Sequence, residues 1–164
     1  VMIRYFNVVG VEKKMRCGFG RYNKSLFYNL CESHLKKKNF SIFGKSFKTK
    51  DGTAVRDYIH VSDLSKVHYQ FAKIIKKQKL KLIINCGYGT GYTVLEVVNK
   101  FNTFINKKIN FKFKDQRKNE MGYSCADTKK LKKFYNFRNT KRKLSLMINS
   151  SLVWYKKNYD RIGK

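Results

Sequence analysis

Short apolar runs alternate with segments of helical spacing along the chain, and this alternation is the feature that most restricts its fold. Residues 2–9 form a run rich in β-branched and aromatic side chains that ends at Gly10, which predicts a buried strand. The same criteria predict strands over residues 40–43 and 80–85, and alternating side chains predict a half-buried strand over residues 109–113. Strands that alternate with helices indicate an α/β protein.

Helical segments separate these strands. The clearest begins at a capping box, in which the side chains of Thr93 and Glu96 can each bond the other's backbone amide. Ser62 is predicted to cap a second helix, with an apolar face formed by Leu64, Val67, Phe71, Ile74 and Ile75. Asp127 is predicted to cap a short basic helix that ends at about residue 135, and further helices are predicted over residues 26–35 and 144–155. No internal repeat or linker divides the 164 residues, which suffice for one domain.

The chain carries 38 Lys and Arg against 10 Asp and Glu, a formal net charge of +28. Such an excess can neutralise nucleic-acid phosphates, and a partner of that kind predicts affinity that falls steeply with salt. The lysines are dispersed, however, over residues 36–38, 76–79, 129–133 and 141–143, and Lys, Asn, Ile, Phe and Tyr share A- and T-rich codons. We therefore expect a solvated basic surface without a nucleic-acid partner. With 42% apolar and 15% aromatic residues, the chain can build a core, which excludes a disordered basic tail.

The cysteines and histidines predict no metal site. The four cysteines form no Cys-x-x-Cys pair, and no two histidines are four residues apart. Unpaired thiols are typical of a reducing compartment, so we expect a cytoplasmic protein. No apolar run approaches the roughly 20 residues that a membrane span needs, and residues 1–10 lack the pattern of a signal peptide.

Two segments place polar side chains at or beside predicted strands. Residues 4–7, Arg-Tyr-Phe-Asn, continue a predicted strand, and open α/β sheets bind ligands at the carboxyl ends of their strands. In residues 55–61, Arg56 enters an apolar stretch. Its planar guanidinium suits a phosphate, and an internal ion pair with Asp57 is an equally good interpretation.

Two later segments could also contact a ligand. In residues 85–93, glycines alternate between a strand and a capped helix, which is weak evidence for a phosphate site because the pattern is not Gly-x-Gly-x-x-Gly. Arg117 and Glu120 could hold a phosphate and a ribose hydroxyl, or they could form a surface ion pair. Tyr69 and Lys73 have Tyr-x-x-x-Lys spacing, but Tyr69 is off the apolar helix face, so we interpret the match as chance. No catalytic residue is predicted.

Taken in order, these segments resemble the UDP-glucose 4-epimerases, within the extended short-chain dehydrogenase/reductase family. The resemblance rests on residues 4–10 (RYFNVVG), 42–44 (IFG), 51–64 (DGTAVRDYIHVSDL), 85–97 (NCGYGTGYTVLEV) and 117–127. The stretch from Asp51 to Leu64 is much more specific than any single glycine motif. The match spans nearly the whole chain but covers the C-terminal half of the family's pattern. The family's cofactor-binding glycine loop and its Tyr-x-x-x-Lys pair would lie upstream of Val1.

The resemblance implies the C-terminal part of an extended short-chain dehydrogenase/reductase. Segments near residues 1–10 and 57–85 would be Rossmann-sheet strands, and the rest a small α/β substrate-binding domain. The family uses bound NAD to remove a hydride from C4 of a UDP-hexose and return it to the opposite face, which interconverts UDP-glucose and UDP-galactose. This chain would hold the UDP-hexose, with NAD bound mainly by the missing N-terminal half. We expect the chain alone to be inactive and to depend on that half or on a homodimer.

Site residues follow from the same resemblance. Phe6 would contact the nicotinamide end of NAD, and Asn7 the diphosphate or the sugar. Ser41, Ile42 and Phe43 would bind uracil along the strand edge. Arg56 would contact the diphosphate, Arg117 a phosphate and Glu120 the ribose hydroxyls. The family has Gly-Asp where this chain has Asn119-Glu120, a second Arg where it has Gln116, and often an aromatic residue near Ser124. A further contact pair falls near residues 24–26.

Three alternatives stay open at this point. The first is a related NAD-dependent nucleotide-sugar dehydratase or decarboxylase, which product analysis would separate from an epimerase. The second is a basic nucleic-acid-binding module, whose affinity would fall steeply with salt. The third is an inactive remnant. If the epimerase interpretation holds, residues 2–9 and 82–85 expose apolar strand edges in isolation.

Overall fold

The computed structural model describes residues 1–20, 25–77, 81–138 and 142–162. It is an α/β structure, as predicted. The strands are β1 (Met2–Tyr5), β2 (Asn7–Val9), β3 (Phe40–Phe43), β4 (Val55–His60), β5 (Ile83–Cys86), β6 (Gly91–Thr93), β7 (Phe111–Lys114) and β8 (Tyr123–Ser124). The helices are α1 (Leu26–Leu35), α2 (Val61–Lys77), α3 (Val94–Ile105), α4 (Lys129–Lys132), α5 (Leu144–Lys157) and α6 (Tyr159–Ile162).

The described strands form three small sheets. Strand β1 pairs with β5 in parallel, and β3 pairs with β7 in parallel. Strand β4 is central to the third sheet, where it is parallel to β2 and β8 and antiparallel to β6. Parallel pairs need crossover connections. Helix α1 lies in the connection between β2 and β4, and α2 lies in the connection between β3 and β7. Strand β4 therefore pairs both with β2, near the start of the chain, and with β6 and β8, from later in the sequence.

The predicted single strand over residues 2–9 is wrong in two respects. It is divided at Phe6, where the chain passes from the β5 sheet to the β4 sheet, and the Phe6 amide donates to the Cys86 carbonyl at 3.4 Å. It is also largely exposed, since Met2 is 57% and Tyr5 59% accessible. Within the described residues β1 pairs with one strand only, and the side chains of Met2 and Tyr5 are left exposed. The exposed apolar edge is as expected.

Helix boundaries follow the local signals at α1 and α3 but not at α2. Both capping-box bonds of α3 are present: Thr93 Oγ1 accepts from the Glu96 amide at 3.0 Å, and Glu96 Oε2 accepts from the Thr93 amide at 2.7 Å. Helix α1 spans residues 26–35 as predicted and is capped by Ser25. Ser62 is not a cap, because α2 begins at Val61 and the Ser62 amide donates to His60 Nδ1.

Two strands begin later than the sequence predicts. The strand predicted from residue 109 begins at Phe111, since the buried Ile109 donates its amide to Asn102 Oδ1 at 3.0 Å. Strand β5 begins at Ile83, and the predicted start at residue 80 lies outside the described residues. Helix α4 is shorter than predicted, and its N-cap residue is Thr128 instead of Asp127. Helix α5 extends two residues beyond residue 155.

The core lies between the central sheet and helices α1, α3 and α5. Its fully buried side chains include Phe27, Leu30, Ile59, Phe101 and Tyr155. Ile75 was predicted on the apolar face of α2 but is 50% exposed. This packing fixes β3, β4 and the start of α1 around one hollow, and the candidate site lies there.

Candidate functional site

A cavity of about 260 Å³ lies between β3, β4, the start of α1 and the loop after β7. Its lining includes every residue predicted to bind substrate: Asn7, Ser41, Ile42, Phe43, Arg56, Arg117 and Glu120. These residues come from four separate parts of the sequence. Phe6, predicted to contact the cofactor, does not line this cavity and lies half-buried beside Asn7 at the break between β1 and β2.

Arg56 pairs with Glu120 rather than with its neighbour Asp57. Arg56 Nη2 lies 3.1 Å from Glu120 Oε1, and the two side chains are only 17% and 20% exposed. Arg56 Nη1 also donates to the Val55 carbonyl at 2.8 Å, which fixes the guanidinium plane. Glu120 Oε2 is buried and has no hydrogen-bond partner among the described residues. The cavity therefore holds a fixed cation and a carboxylate oxygen able to accept further hydrogen bonds.

Asp57 has a structural role on the opposite face of β4. It is fully buried, and its carboxylate accepts from the backbone amides of Tyr88, Gly89 and Ala126 at 3.1, 2.8 and 3.3 Å. A Cβ at Gly87 would lie 2.4 Å from Asp57 Oδ2, so the glycine permits this close approach. The glycine-rich segment over residues 85–93 thus binds Asp57, and none of those residues lines the cavity.

Arg117 stacks on Phe43 at the edge of the cavity. The guanidinium carbon lies 4.1 Å from the centre of the Phe43 ring, a cation–π arrangement. The Glu120 amide donates to the Arg117 carbonyl, and Asn119 between them has a φ of 60°. The turn aims Glu120 at Arg56 and leaves the exposed Arg117 side chain on Phe43. The surface ion pair considered for Arg117 and Glu120 is therefore replaced by two other contacts.

Strand β3 presents an edge to the cavity. The amides of Phe40 and Gly44 donate to carbonyls of Asn110 and Lys114, beside and on β7, at 2.8 and 2.9 Å. Since backbone groups alternate in direction along a strand, those of Ser41 and Phe43 point to the other edge. Within the described residues no strand pairs with that edge. Its amides and carbonyls can bind a planar ligand that carries both donors and acceptors.

The start of α1 adds an electropositive end to the cavity. Ser25 caps the helix, with its hydroxyl accepting from the Tyr28 amide at 3.4 Å, and Ser25 and Leu26 line the cavity. A helix N-terminus favours anions, here on the same cavity as Arg56 and Arg117. The contact pair predicted near residues 24–26 thus lies partly at the cavity, while Lys24 lies outside the described residues.

Sequence reasoning missed Asn29, Ala54 and Tyr58 as lining residues. Tyr58 follows Arg56 by two residues on β4, so strand periodicity alone places both on one face. Burial raises the pKa of Tyr58 above its ordinary value, against the opposing effect of the Arg56 charge. Its hydroxyl therefore stays protonated at neutral pH and can donate a hydrogen bond.

The remaining sequence candidates lie away from the cavity. Tyr69 is 68% exposed on α2, with Lys73 Nζ 5.6 Å from its ring centre, and neither residue lines the cavity. Across the described part of the chain, no cluster of three His, Cys, Asp or Glu side chains could hold a metal ion. None of the helices in that part is both long and apolar enough to cross a membrane.

Comparison with known proteins identifies the family of this chain. The profile of the NAD dependent epimerase/dehydratase family matches residues 1–87, more than half of the chain. The chain belongs to this family. Over 168 aligned residues it is 32% identical to the UDP-glucose 4-epimerase of Mycoplasma pneumoniae, and the alignment covers 99% of this chain and 48% of that protein.

Two solved members of the family share the fold. The UDP-glucose 4-epimerase of Bifidobacterium longum, in complex with NAD+ and UDP, is 30% identical with a TM-score of 0.82. The enzyme from Stenotrophomonas maltophila, with bound NAD and formylated UDP-arabinopyranose, is 25% identical with a TM-score of 0.87. Each match covers 96% of this chain and 48% of the other. The chain thus spans about half the length of the family members it matches.

Proposed function

We propose that this chain is the UDP-hexose-binding half of a UDP-glucose 4-epimerase. One observation carries the proposal: seven residues assigned from sequence to UDP-sugar binding, from distant parts of the chain, line one cavity. The names of the relatives agree with it, and one solved relative contains both UDP and NAD+.

The cavity suits the three chemical parts of UDP. Uracil presents one N–H donor between two carbonyl acceptors, which the free backbone groups of Ser41 and Phe43 can match along the β3 edge. Arg56, Arg117 and the start of α1 supply positive charge for the diphosphate. The free oxygen of Glu120 can accept from a ribose hydroxyl. Tyr58 can donate to a phosphate oxygen beside Arg56.

The catalytic chemistry belongs to the cofactor and to the other half of the protein. When bound, NAD would supply the hydride transfer at C4 of the hexose. In this chain Phe6 would contact the nicotinamide end of NAD, and Asn7 would position the diphosphate or sugar. Firm binding of the non-reacting UDP leaves the sugar free to turn between the two hydride transfers. Segments near residues 1–10 and 57–85 would continue the NAD-binding sheet through the open edge of β1.

Isothermal titration calorimetry with UDP tests the binding role. Arg117→Ala removes an exposed guanidinium without disturbing the core, so we expect UDP affinity to fall about tenfold or more. Lys118→Ala makes the same change of charge one residue away, on an exposed side chain outside the cavity, and should bind UDP like the wild type. Equal affinity of all three proteins for UDP would contradict the proposal.

A second measurement tests the reaction. A protein that joins this chain to an NAD-binding half should convert UDP-glucose to UDP-galactose, as identified by product analysis. A dehydrated or decarboxylated nucleotide sugar in place of the epimer would assign the chain to a related family activity.

A further inference from the structure

The cavity proposed to bind UDP is called the UDP cavity below. A second cavity, of about 160 Å³, opens at the other end of α1. It lies where α1 and α3 end and where β3 and β7 begin. Four lysines line it: Lys37 and Lys38 follow α1, and Lys107 and Lys108 follow α3. His34 and Asn39 also line the cavity. Four cations from two separate helix ends therefore converge on one hollow.

The charge of this cavity is not compensated. No Asp or Glu is among its lining residues. In the described part of the chain none of the four ammonium groups makes an ion pair or a side-chain hydrogen bond, whereas nearby Lys36 pairs with Glu32 at 2.7 Å. The four side chains are exposed, so solvent screens their mutual repulsion, and a multiply charged anion bound among them would be attracted to all four.

The carbonyl groups at the ends of α1 and α3 do not need the four lysine side chains as hydrogen-bond donors. At the end of α1, the carbonyls of Glu32 and Ser33 accept from the backbone amides of Lys36 and Lys38. At the end of α3, the Asn102 carbonyl accepts from the Lys107 amide at 3.1 Å. Backbone groups thus satisfy these carbonyls, and the ammonium groups stay available for a ligand.

His34 provides an electrostatic probe of the same cavity. Burial lowers its pKa below the ordinary value, and the charges of Lys156 and Lys107 lower it further. The ring packs edge-on against Phe101, with centroids 6.2 Å apart, so it is fixed beside the lysines. An anion bound among the lysines would oppose their effect and raise the pKa of His34.

We propose that this cavity binds a small, multiply charged phosphate anion, of which inorganic diphosphate is the simplest example. The ammonium groups would donate charge-assisted hydrogen bonds to the phosphate oxygens, and Asn39 would add a neutral donor. The site is separate from the UDP cavity and does not depend on the proposed epimerase activity.

The test is calorimetric titration of the purified protein with inorganic diphosphate at constant ionic strength. The double variant Lys107→Ala, Lys108→Ala should weaken binding about tenfold or more. The double variant Lys129→Ala, Lys130→Ala removes the same charge from exposed positions on α4 and should bind like the wild type. Proton NMR should show that diphosphate raises the pKa of His34, while the ring resonances of His68 should not shift.

Three results would overturn the proposal. Equal weakening in the two double variants would mean diffuse attraction to a basic surface. An unchanged His34 titration would place the anion elsewhere. Loss of diphosphate binding in Arg117→Ala, or complete competition by UDP, would mean that the anion occupies the UDP cavity. Failure of UDP binding with intact diphosphate binding would reject the proposed function alone.

Discussion

Arg56 and Asp57 are neighbours on β4 but have different roles, which the sequence alone did not distinguish. Arg56 could have paired with Asp57 or with a ligand, and the structure pairs it with Glu120 across 64 positions of sequence. Asp57 is instead enclosed by backbone amides of the glycine-rich segment. Strand periodicity explains the division, because neighbouring side chains point to opposite faces.

Glu120→Gln tests the carboxylate at the cavity. The amide keeps the size of the side chain but removes its charge, so Arg56 loses its ion pair. We expect the free energy of unfolding to fall by roughly 1–3 kcal/mol, as measured by denaturant titration. If Glu120 contacts the ribose, the preference for UDP over 2′-deoxy-UDP in calorimetry should also fall about tenfold.

The control for this variant is Arg117→Ala, which should weaken both nucleotides equally. An unchanged preference for UDP in Glu120→Gln would exclude the ribose contact and leave Glu120 as a partner of Arg56 only.

Among the elements, those determined by local signals were predictable. The capping box of Thr93 and Glu96 and the span of α1 follow from neighbouring residues, and the structure reproduces both. The break at Phe6 could not be predicted, because it depends on pairing with β5 and β4, which are distant in sequence. The residues that line the cavity were predicted from family resemblance, because no local sequence pattern links β3 to Glu120.

The capping box makes a prediction about α3. Thr93→Ala removes the cap and the hydrogen bond from Thr93 to Asp51, so the free energy of unfolding should fall by about 1 kcal/mol or more. Thr103→Ala makes the same substitution at an exposed position of α3 and should change stability little. Equal denaturation midpoints for the two variants would show that the cap does not stabilise the helix.

At the scale of the whole molecule, the sheet of β1 and β5 is incomplete in the described residues. Met2 and Tyr5 on β1 and Ile83 on β5 are 57%, 59% and 45% exposed. An unpaired strand edge beside exposed apolar side chains promotes association with another chain. The chain spans about half the length of the family members it matches.

We therefore expect the chain on its own to associate as its concentration rises, which light scattering after size exclusion will measure. Ile83→Lys places a charge on the sheet and should lower the apparent mass. Val153→Lys makes the same change of charge on α5 at a residue of similar exposure, 41%, and should not. A monomer at every concentration with one cooperative thermal transition would contradict the expectation.

The opposed neighbours Arg56 and Asp57 have a consequence for how this protein can change over time. Inserting or deleting one residue in β4 would exchange the two faces, turning Asp57 toward the cavity and Glu120, and Arg56 toward the backbone amides that now donate to Asp57. The first exchange would place two carboxylates beside each other, and the second would place a guanidinium against the positive ends of N–H dipoles. Length variation in this gene should therefore be confined to loops, while β4 keeps a constant number of codons.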